Sequence, residues 1–185
     1  MAILPIVKLF QPNLTCPGSC LRMECSDILD SEFSSSWFHQ LVTDMFETLY
    51  SEPSGVGLSA NQIGILKKIS VIDFKRDGKN PIVFVNPRIV PLSEEQVESD
   101  EVCLSFPNIS VKVQRYKKIK VLYQDIAGVH KEVIAEGFKS NVYQHEISHL
   151  CGKTHVDMIN NDSDIEYYVG TASRKALAAY QKCTL

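Results

Sequence analysis

The chain has 185 residues, of which 44% are hydrophobic and 22% charged, and its formal net charge is −3. This composition predicts one globular domain over residues 1–185, and the small negative charge gives no electrostatic reason to expect nucleic acid or an anionic membrane as a partner. No apolar run is long enough to span a bilayer, and the N-terminus lacks the basic and long apolar regions of a secretion signal. We therefore expect a cytoplasmic protein.

The first predicted element is a helix that ends near Tyr50. Serines at positions 34–36 are candidate N-caps. Seven apolar residues then recur at steps of three and four, the pattern of a helix with one buried face. They are Trp37, Phe38, Leu41, Val42, Met45, Phe46 and Leu49. After this helix, glycines at 55 and 57 allow a close backbone approach to a ligand, although alone they indicate only a tight turn.

The middle of the chain is rich in Val, Ile and Phe, which predicts β-strands. Residues 69–74 and 81–90 are two predicted strands, separated by a turn at residues 77–78. Residues 109–123 predict one long strand whose basic cluster forms a solvated face, and residues 129–138 predict a returning strand. The six cysteines are too few in a chain of this length to indicate a disulfide scaffold.

The most informative stretch is residues 144–152, with the sequence QHEISHLCG. His145 and His149 are four positions apart, so on a helix they share one face and could bind one metal ion. No Pro or Gly interrupts the run before Gly152, where the helix would end. Glu146 would lie beside the metal site as a general base. The pattern predicts a metal hydrolase.

The spacing leaves the third metal ligand open among three residues. His155 completes H-E-x-x-H-x-x-G-x-x-H, the pattern of metzincin proteases. Glu166 lies at a distance that suits a thermolysin-like protease, but Ser163 and Glu166 also form a capping-box pattern that predicts a terminal helix to about Gln181. A capping role would make Glu166 a poor metal ligand. Cys103 lies upstream, in the sequence EVCLS.

Three separated stretches together resemble the motifs of peptide deformylases. GVGLSANQ at residues 55–62 resembles G-x-G-L-A-A-x-Q, EVCLS at residues 101–105 resembles E-G-C-L-S, and QHEISHLCG resembles Q-H-E-x-D-H-L-x-G. H-E-x-x-H alone is shared by unrelated hydrolases, whereas the three motifs in this order are specific. The resemblance implies an α+β fold in which antiparallel or mixed β-sheets pack around the H-E-x-x-H helix, with an N-terminal and a C-terminal helix.

The resemblance also implies a metal centre and a reaction. Cys103, His145 and His149 would bind one divalent metal ion, Fe(II) in the cell, although these residue types also accept zinc or nickel. Glu146 would transfer protons while the N-formyl group is hydrolysed from nascent chains that begin with formyl-methionine. The implied partners are nascent N-formylmethionyl peptides, and the ribosome is a further candidate.

Other residues are expected to contact the substrate. The Gln62 side-chain amide and the Leu104 backbone N–H would stabilise the oxyanion. The backbone around Val56 and Gly57 would pair with the peptide like an added strand. Three residues share the helical face of His145 and are expected to form the pocket for the methionine side chain, with core packing as the alternative role of each. They are Phe138, Asn141 and Val142.

Three residues depart from the family motifs. Ser59 replaces an alanine, a small-for-small change from which we expect little effect. Ser148 replaces an aspartate, so a supporting salt bridge is expected to be missing. Val102 replaces the glycine before Cys103, where a β-branched side chain adds bulk beside the substrate and excludes φ > 0. We expect hydrolysis to persist with slower turnover or narrower substrate choice.

Two alternatives to a deformylase stay open. A metzincin-like zinc protease would use His155 as its third ligand, but Met158 follows too closely to form a metzincin Met-turn. If the chain is instead a deformylase, His155 is expected to be partly exposed after the helix. The non-enzyme alternative is a deformylase-like peptide-binding protein without turnover, and the intact Glu146 argues against it because a binding protein needs no general base.

Overall fold

The structure is a computed structural model that describes residues 2–8, 19–159 and 164–167, together with residues 175, 177 and 178. The helices bounded within these residues are α1 (Ser36–Ser51) and α2 (Phe138–Leu150). The strands are β1 (Gly57–Ser59), β2 (Ile69–Ile72), β3 (Ile82–Pro91), β4 (Gln96–Cys103), β5 (Phe106–Tyr116), β6 (Lys118–Gln124), β7 (His130–Glu136) and β8 (Ile165–Tyr167). Short 3₁₀ helices cover Ser19–Arg22, Asp30–Glu32, Ala60–Ile63 and His155–Asp157.

The described strands form two antiparallel sheets. One has the order β1-β2-β3-β6-β7 and the other the order β4-β5-β8. Helix α2 contacts strands of both sheets, from β1 and β7 in the first to β5 in the second. This arrangement confirms the predicted α+β fold with sheets packed around the H-E-x-x-H helix. The predicted C-terminal helix lies largely outside the described residues.

Helix α1 begins at the predicted serines. Ser35 is the N-cap, and its hydroxyl accepts a hydrogen bond from the Phe38 amide at 3.2 Å. Most of the predicted apolar stripe is buried, but Trp37 is 43% exposed and is not part of the core. Phe38 is fully buried, so the side chain one position earlier points about 100° away from the core-facing stripe.

The prediction of one long strand over residues 109–123 is wrong. Strand β5 ends at Tyr116, β6 begins at Lys118, and the two belong to different sheets. Lys117 lies at the break, where its N–H donates to the Glu95 carbonyl and its own carbonyl accepts from the Gly137 N–H. Apolar and polar residues alternate in phase on both sides of residues 114–118, with Val111 and Val113 before them and Ile119 and Val121 after them, and therefore the pattern suggests one continuous strand.

The helix that carries the two histidines is confirmed, and it ends where the sequence indicates. Gly152 has a φ of 68°, and a Cβ atom there would lie 2.6 Å from the Arg22 carbonyl oxygen, so only glycine fits. The capping-box prediction is wrong, since Glu166 lies in β8 and pairs with Ser110 of β5. Among the described residues, no helix combines the length and apolar character that a bilayer crossing requires.

Candidate active site

Three side chains with metal-binding atoms converge between the end of β4 and one face of α2. The Cys103 sulfur lies 3.3 Å from His149 Nε2, which lies 3.3 Å from His145 Nε2, and all three ligand atoms are within 4.8 Å of one another. An ion held tetrahedrally would separate two such nitrogens by about 3.3 Å, and sulfur from nitrogen by about 3.5 Å. The two measured distances are close to these values, so the donor set fits a single divalent ion.

His145 is oriented by a buried ion pair. Its Nδ1 lies 2.8 Å from Glu101 Oε2, which leaves Nε2 directed at the metal position. Arg115 binds the same carboxylate in a bidentate manner, with Nε to Oε1 at 2.7 Å and Nη2 to Oε2 at 2.8 Å. Burial raises the pKa of Glu101, but the hydrogen bonds from Arg115 and His145 outweigh it and hold the pKa at about 2. The carboxylate is therefore ionised and fixed.

Sequence reasoning missed the role of Arg115. The strand pattern places this residue in a solvated basic cluster, whereas Arg115 is only 4% exposed. Its Nη1 lies 3.3 Å from the Ser148 hydroxyl and 3.0 Å from the Met158 sulfur. Ser148 provides a hydroxyl where the family motif has a carboxylate, and the ion pair of Arg115 is made with Glu101 instead. A buried arginine on a strand whose one other basic residue, Lys112, has a 41% exposed side chain has no signature of its own in the sequence.

His149 is fixed through its backbone. The Asn61 side-chain amide donates to the His149 carbonyl at 2.6 Å, and both residues are fully buried. Asn61 is not among the predicted site residues, although it lies inside the GVGLSANQ motif. Its contact ties the residue 55–62 segment to the end of α2.

Glu146 lies next to the metal cluster in a buried position between two residues of the first motif. The Ser59 hydroxyl donates to Glu146 Oε2 at 2.6 Å, and Ser70 Oγ lies 2.8 Å from Ser59 Oγ. On the other side, a Cβ atom on Gly57 would lie 2.5 Å from Glu146 Oε1. Burial raises the pKa of Glu146, and the charge on His145 and the Ser59 hydrogen bond partly offset this. Ser59, a position from which the motif comparison predicts little effect, thus contacts the candidate general base directly.

Gln62 lies beside the sulfur of Cys103. Its Nε2 is 3.4 Å from the Cys103 sulfur and 3.2 Å from the Ser105 hydroxyl. The Ser59 N–H donates to Gln62 Oε1 at 2.8 Å, which identifies the oxygen end of the amide and directs the N–H₂ group toward the metal cluster. Leu104 lines the groove into which this cluster opens, and its side chain lies against Gly55.

The cluster opens into a groove of about 630 Å³. Every residue predicted to contact substrate lines it. They are Val56, Gly57, Val102, Phe138, Asn141 and Val142. Val102 and Phe138 are 68% and 67% exposed, which is unusual for large apolar side chains. The φ of Val102 lies outside the left-handed region that glycine favours, in agreement with the expectation that valine excludes φ > 0 at this position.

The two other candidates for the third metal ligand, His155 and Glu166, do not belong to the metal cluster. His155 is not part of the metal cluster, and it is 1% exposed, so the expectation of partial exposure is wrong. Its ring packs 5.1 Å from that of Phe106 and 5.5 Å from that of His145, and neither ring nitrogen has a hydrogen-bond partner among the described residues. Burial, followed by the charge on His145, lowers the pKa of His155 to about 3. Glu166 is held in β8.

The site combines a buried cysteine and two buried histidines with a neighbouring buried carboxylate at the floor of an open groove, which is the arrangement of a metal-dependent hydrolase. Residues 6–164 of this chain match the model of the family described as "Polypeptide deformylase". A peptide deformylase of Cellvibrio japonicus is 39% identical over 160 residues, which cover 86% of this chain and 88% of that protein. A peptide deformylase-like protein of Rickettsia conorii is 44% identical over 140 residues, or 75% of this chain and 73% of the relative.

The fold agrees with these sequence matches. The crystal structure of a peptide deformylase from Legionella pneumophila superimposes with a TM-score of 0.79 at 35% identity, over 98% of this chain and 96% of that one. This chain belongs to the polypeptide deformylase family. Members of the family are metal-dependent enzymes that act on nascent formylated peptides.

Proposed function

We propose that this protein hydrolyses the N-formyl group from formyl-methionine at the start of newly made polypeptides in the cytoplasm. The observation that carries the proposal is the convergence of Cys103, His145 and His149 beside Glu146 at the floor of an open groove. Membership of the deformylase family supports it. The nascent chain is the proposed partner, and the ribosome is a second candidate.

The proposed cofactor is one divalent ion bound by Cys103, His145 and His149. We propose Fe(II), with zinc and nickel as alternatives, because thiolate and imidazole ligands accept all three. When bound, the ion supplies Lewis-acid activation of water and of the formyl carbonyl. Three protein ligands are the number typical of catalytic sites, since a fourth position must stay available for the reaction.

Glu146 is the proposed general base and acid. Its carboxylate takes a proton from the attacking water as the new C–O bond forms, and it returns that proton to the amine nitrogen as the C–N bond breaks. Formate and a free N-terminal amine are the products. Burial favours the neutral form of Glu146 and so supports its ability to hold the proton between these two steps. The Ser59 hydrogen bond restrains one carboxylate oxygen and leaves Oε1 for the water.

Gln62 and Leu104 are the proposed oxyanion donors. The N–H₂ group of Gln62 is already directed at the cluster by the bond between its oxygen and the Ser59 amide. The Leu104 backbone N–H follows the ligand cysteine directly. Removing one such donor typically lowers the rate by about 10² to 10³.

The groove is proposed to hold an extended peptide. Val56 and Gly57 would contact its backbone, while the side chains of Val102, Phe138 and Val142 would contact the apolar methionine side chain. Asn141 stands among them with its amide nitrogen 3.0 Å from the Ser99 hydroxyl. An apolar pocket with one polar side chain suits methionine, whose side chain is long and flexible.

The decisive experiment measures formate release from formyl-Met-Ala-Ser by protein purified without oxygen and loaded with Fe(II). Anaerobic handling matters because oxidation of the Cys103 thiolate would mimic inactivity. Glu146→Gln is the matched control, since it keeps the side-chain volume and all three metal ligands. We expect one metal ion per chain in both proteins, and a rate about 10² to 10⁴ lower in the variant.

Two outcomes would contradict the proposal. Wild-type protein that holds one metal ion and binds the peptide, yet releases no formate, would be a peptide-binding protein. Cleavage of internal peptide bonds in an unformylated substrate would instead indicate a protease. Zinc- and nickel-loaded samples, tested in parallel, identify the metal that supports turnover.

A further inference from the structure

One wall of the groove is a short segment, residues 52–57, that joins α1 to β1. Its last residue, Gly57, is buried against Glu146, because a Cβ atom there would lie 2.5 Å from Glu146 Oε1. Pro53 and Ser54, toward the other end, are exposed. The wall therefore rises from the candidate general base to the surface, along the path that the later residues of a bound peptide would follow.

The backbone of this wall is held by one arginine from the next loop. Arg76 Nη1 donates to the Gly55 carbonyl. Arg76 Nη2 donates to the carbonyls of Glu52 at 2.5 Å and of Tyr50, at the end of α1, at 3.3 Å. Residues 52–56 lie outside both helix and strand. The guanidinium thus provides hydrogen bonds to these carbonyls, which in a helix or a strand would be provided by other backbone N–H groups.

Arg76 is itself held by Asp73, which is 2% exposed. Asp73 Oδ1 accepts the amide N–H of Arg76 at 2.9 Å, and Oδ2 accepts the Tyr50 hydroxyl at 2.7 Å. The Asp73 N–H donates to the Val56 carbonyl at 2.8 Å, which adds a further anchor to the wall. Arg76 has a φ of 53°, a costly conformation for a residue other than glycine. The loop keeps this conformation and thereby aims the guanidinium at the wall.

We propose that Arg76 is a positioning residue for the peptide substrate, because its guanidinium fixes the carbonyls of residues 50, 52 and 55 and so holds the groove wall in place. The proposal rests on the proposed function, since the wall matters only if a peptide binds along it. The planar fork of arginine reaches three carbonyls from two nitrogens, which the compact ammonium of a lysine does not reproduce.

The first test compares the hydrolysis of formyl-Met-Ala-Ser by Arg76→Met and by a matched control, Arg88→Met. Arg88 is exposed on β3 and does not line the groove. We expect Arg76→Met to raise KM by about tenfold to a hundredfold, with kcat per bound metal ion nearly unchanged. A merely structural role would lower the fraction of folded, metal-loaded protein and leave KM at the value of the control. That result would overturn the proposal.

A second pair of variants covers the case in which Arg76→Met does not fold. Arg76→Lys keeps a cation but loses the fork, so its KM should lie above that of wild type and above that of Arg88→Lys. Where Arg76→Met does fold, a KM of Arg76→Lys between those of Arg76→Met and wild type would show that the contacts to the carbonyls matter. Equal KM values for the two lysine variants would overturn the proposal.

Binding of the unformylated tripeptide Met-Ala-Ser to metal-loaded protein separates this inference from the proposed function, because binding needs no turnover. If wild type binds the tripeptide but does not deformylate its formylated form, the proposed function fails. Weaker binding by Arg76→Met than by Arg88→Met would still support the role of Arg76. Equal binding by the two variants, or no binding by wild type, would overturn it.

Discussion

The two ends of α2 contribute to the site in different ways. Toward the C-terminal end, His145 and His149 are buried; the Glu101 carboxylate accepts from the His145 ring, and the His149 carbonyl accepts from the Asn61 amide. At the N-terminal end, Phe138 is 67% exposed and meets the Phe74 ring edge-on. The site thus has two parts, which we call the chemical face (the metal cluster, Glu146 and the residues that hold them) and the recognition face (the exposed apolar residues of the groove, among them Phe138 and Val102). We infer that changes at the first face abolish the reaction, whereas changes at the second alter which substrates are used.

The largest expected effect comes from breaking the chemical face at its sulfur. Cys103→Ala removes one of three converging ligand atoms, so we expect loss of tight metal binding and of all activity. His155→Ala is the control, because His155 is buried beside the cluster without belonging to it. Its metal content, measured by elemental analysis after dialysis, should stay at one ion per chain. If His155→Ala lost the metal ion and Cys103→Ala retained it, His155 rather than Cys103 would be the third ligand.

A smaller but still large effect is expected from replacing Arg115, which holds the Glu101 carboxylate that orients His145. Arg115→Met leaves the buried Glu101 carboxylate without its bidentate partner, which costs about 3 to 5 kcal/mol of unfolding free energy. We also expect metal affinity to fall by about 10- to 100-fold, because Glu101 no longer holds His145 in register.

Chelator competition and denaturant unfolding measure the two effects of Arg115→Met separately. Lys112→Met is the matched control on the same strand, since the Lys112 side chain is 41% exposed and pairs with Glu98 at the surface. A metal affinity equal to that of the control would show that Arg115 acts on stability alone.

The boundary between the two faces can be tested at Gly57. A methyl group there would lie 2.5 Å from Glu146 Oε1, so Gly57→Ala must displace the carboxylate, and we expect kcat to fall by about 10²-fold while metal content is unchanged. Gly64→Ala is the control, because it strains a φ of 79° but places the methyl group in open space. If both variants lose the same activity, a general loss of stability rather than contact with Glu146 explains the loss.

The chemical face is easier to predict from sequence than its surroundings. The spacing of His145 and His149 places both on one helical face, and the resemblance to the deformylase motifs adds Cys103, so the sequence predicts the three residues whose ligand atoms converge in the structure. Arg115 escapes such reasoning because its burial depends on the packing of α2 over β5, which strand periodicity does not encode. The burial of His155 likewise depends on how the chain folds back after α2. Local patterns specify elements, and tertiary contacts decide which polar residues become buried.

The smallest expected effect lies on the recognition face, at Val102. The sequence indicates two consequences of a valine at this position, namely bulk beside the substrate and the exclusion of φ > 0. In the structure the side chain is 68% exposed in the groove, and its φ lies outside the left-handed region, so the groove forms without the conformation that glycine favours. Val102→Gly and Val102→Ala should therefore have the same effect on formyl-Met peptides, with kcat/KM changed by less than about tenfold and bulkier first residues better accepted.

Comparing the two Val102 variants separates side-chain bulk from backbone freedom. If the glycine variant gained activity that the alanine variant lacked, the reaction would require a backbone conformation at position 102 that valine excludes, and our interpretation of the groove would be wrong. If neither variant changed rate or selectivity, Val102 would not contact the substrate. Relative to Val102→Ala, Val102→Gly should lower the free energy of unfolding by about 0.5 to 1 kcal/mol, because glycine in a strand loses more backbone freedom on folding. Thermal unfolding measures that difference independently of activity.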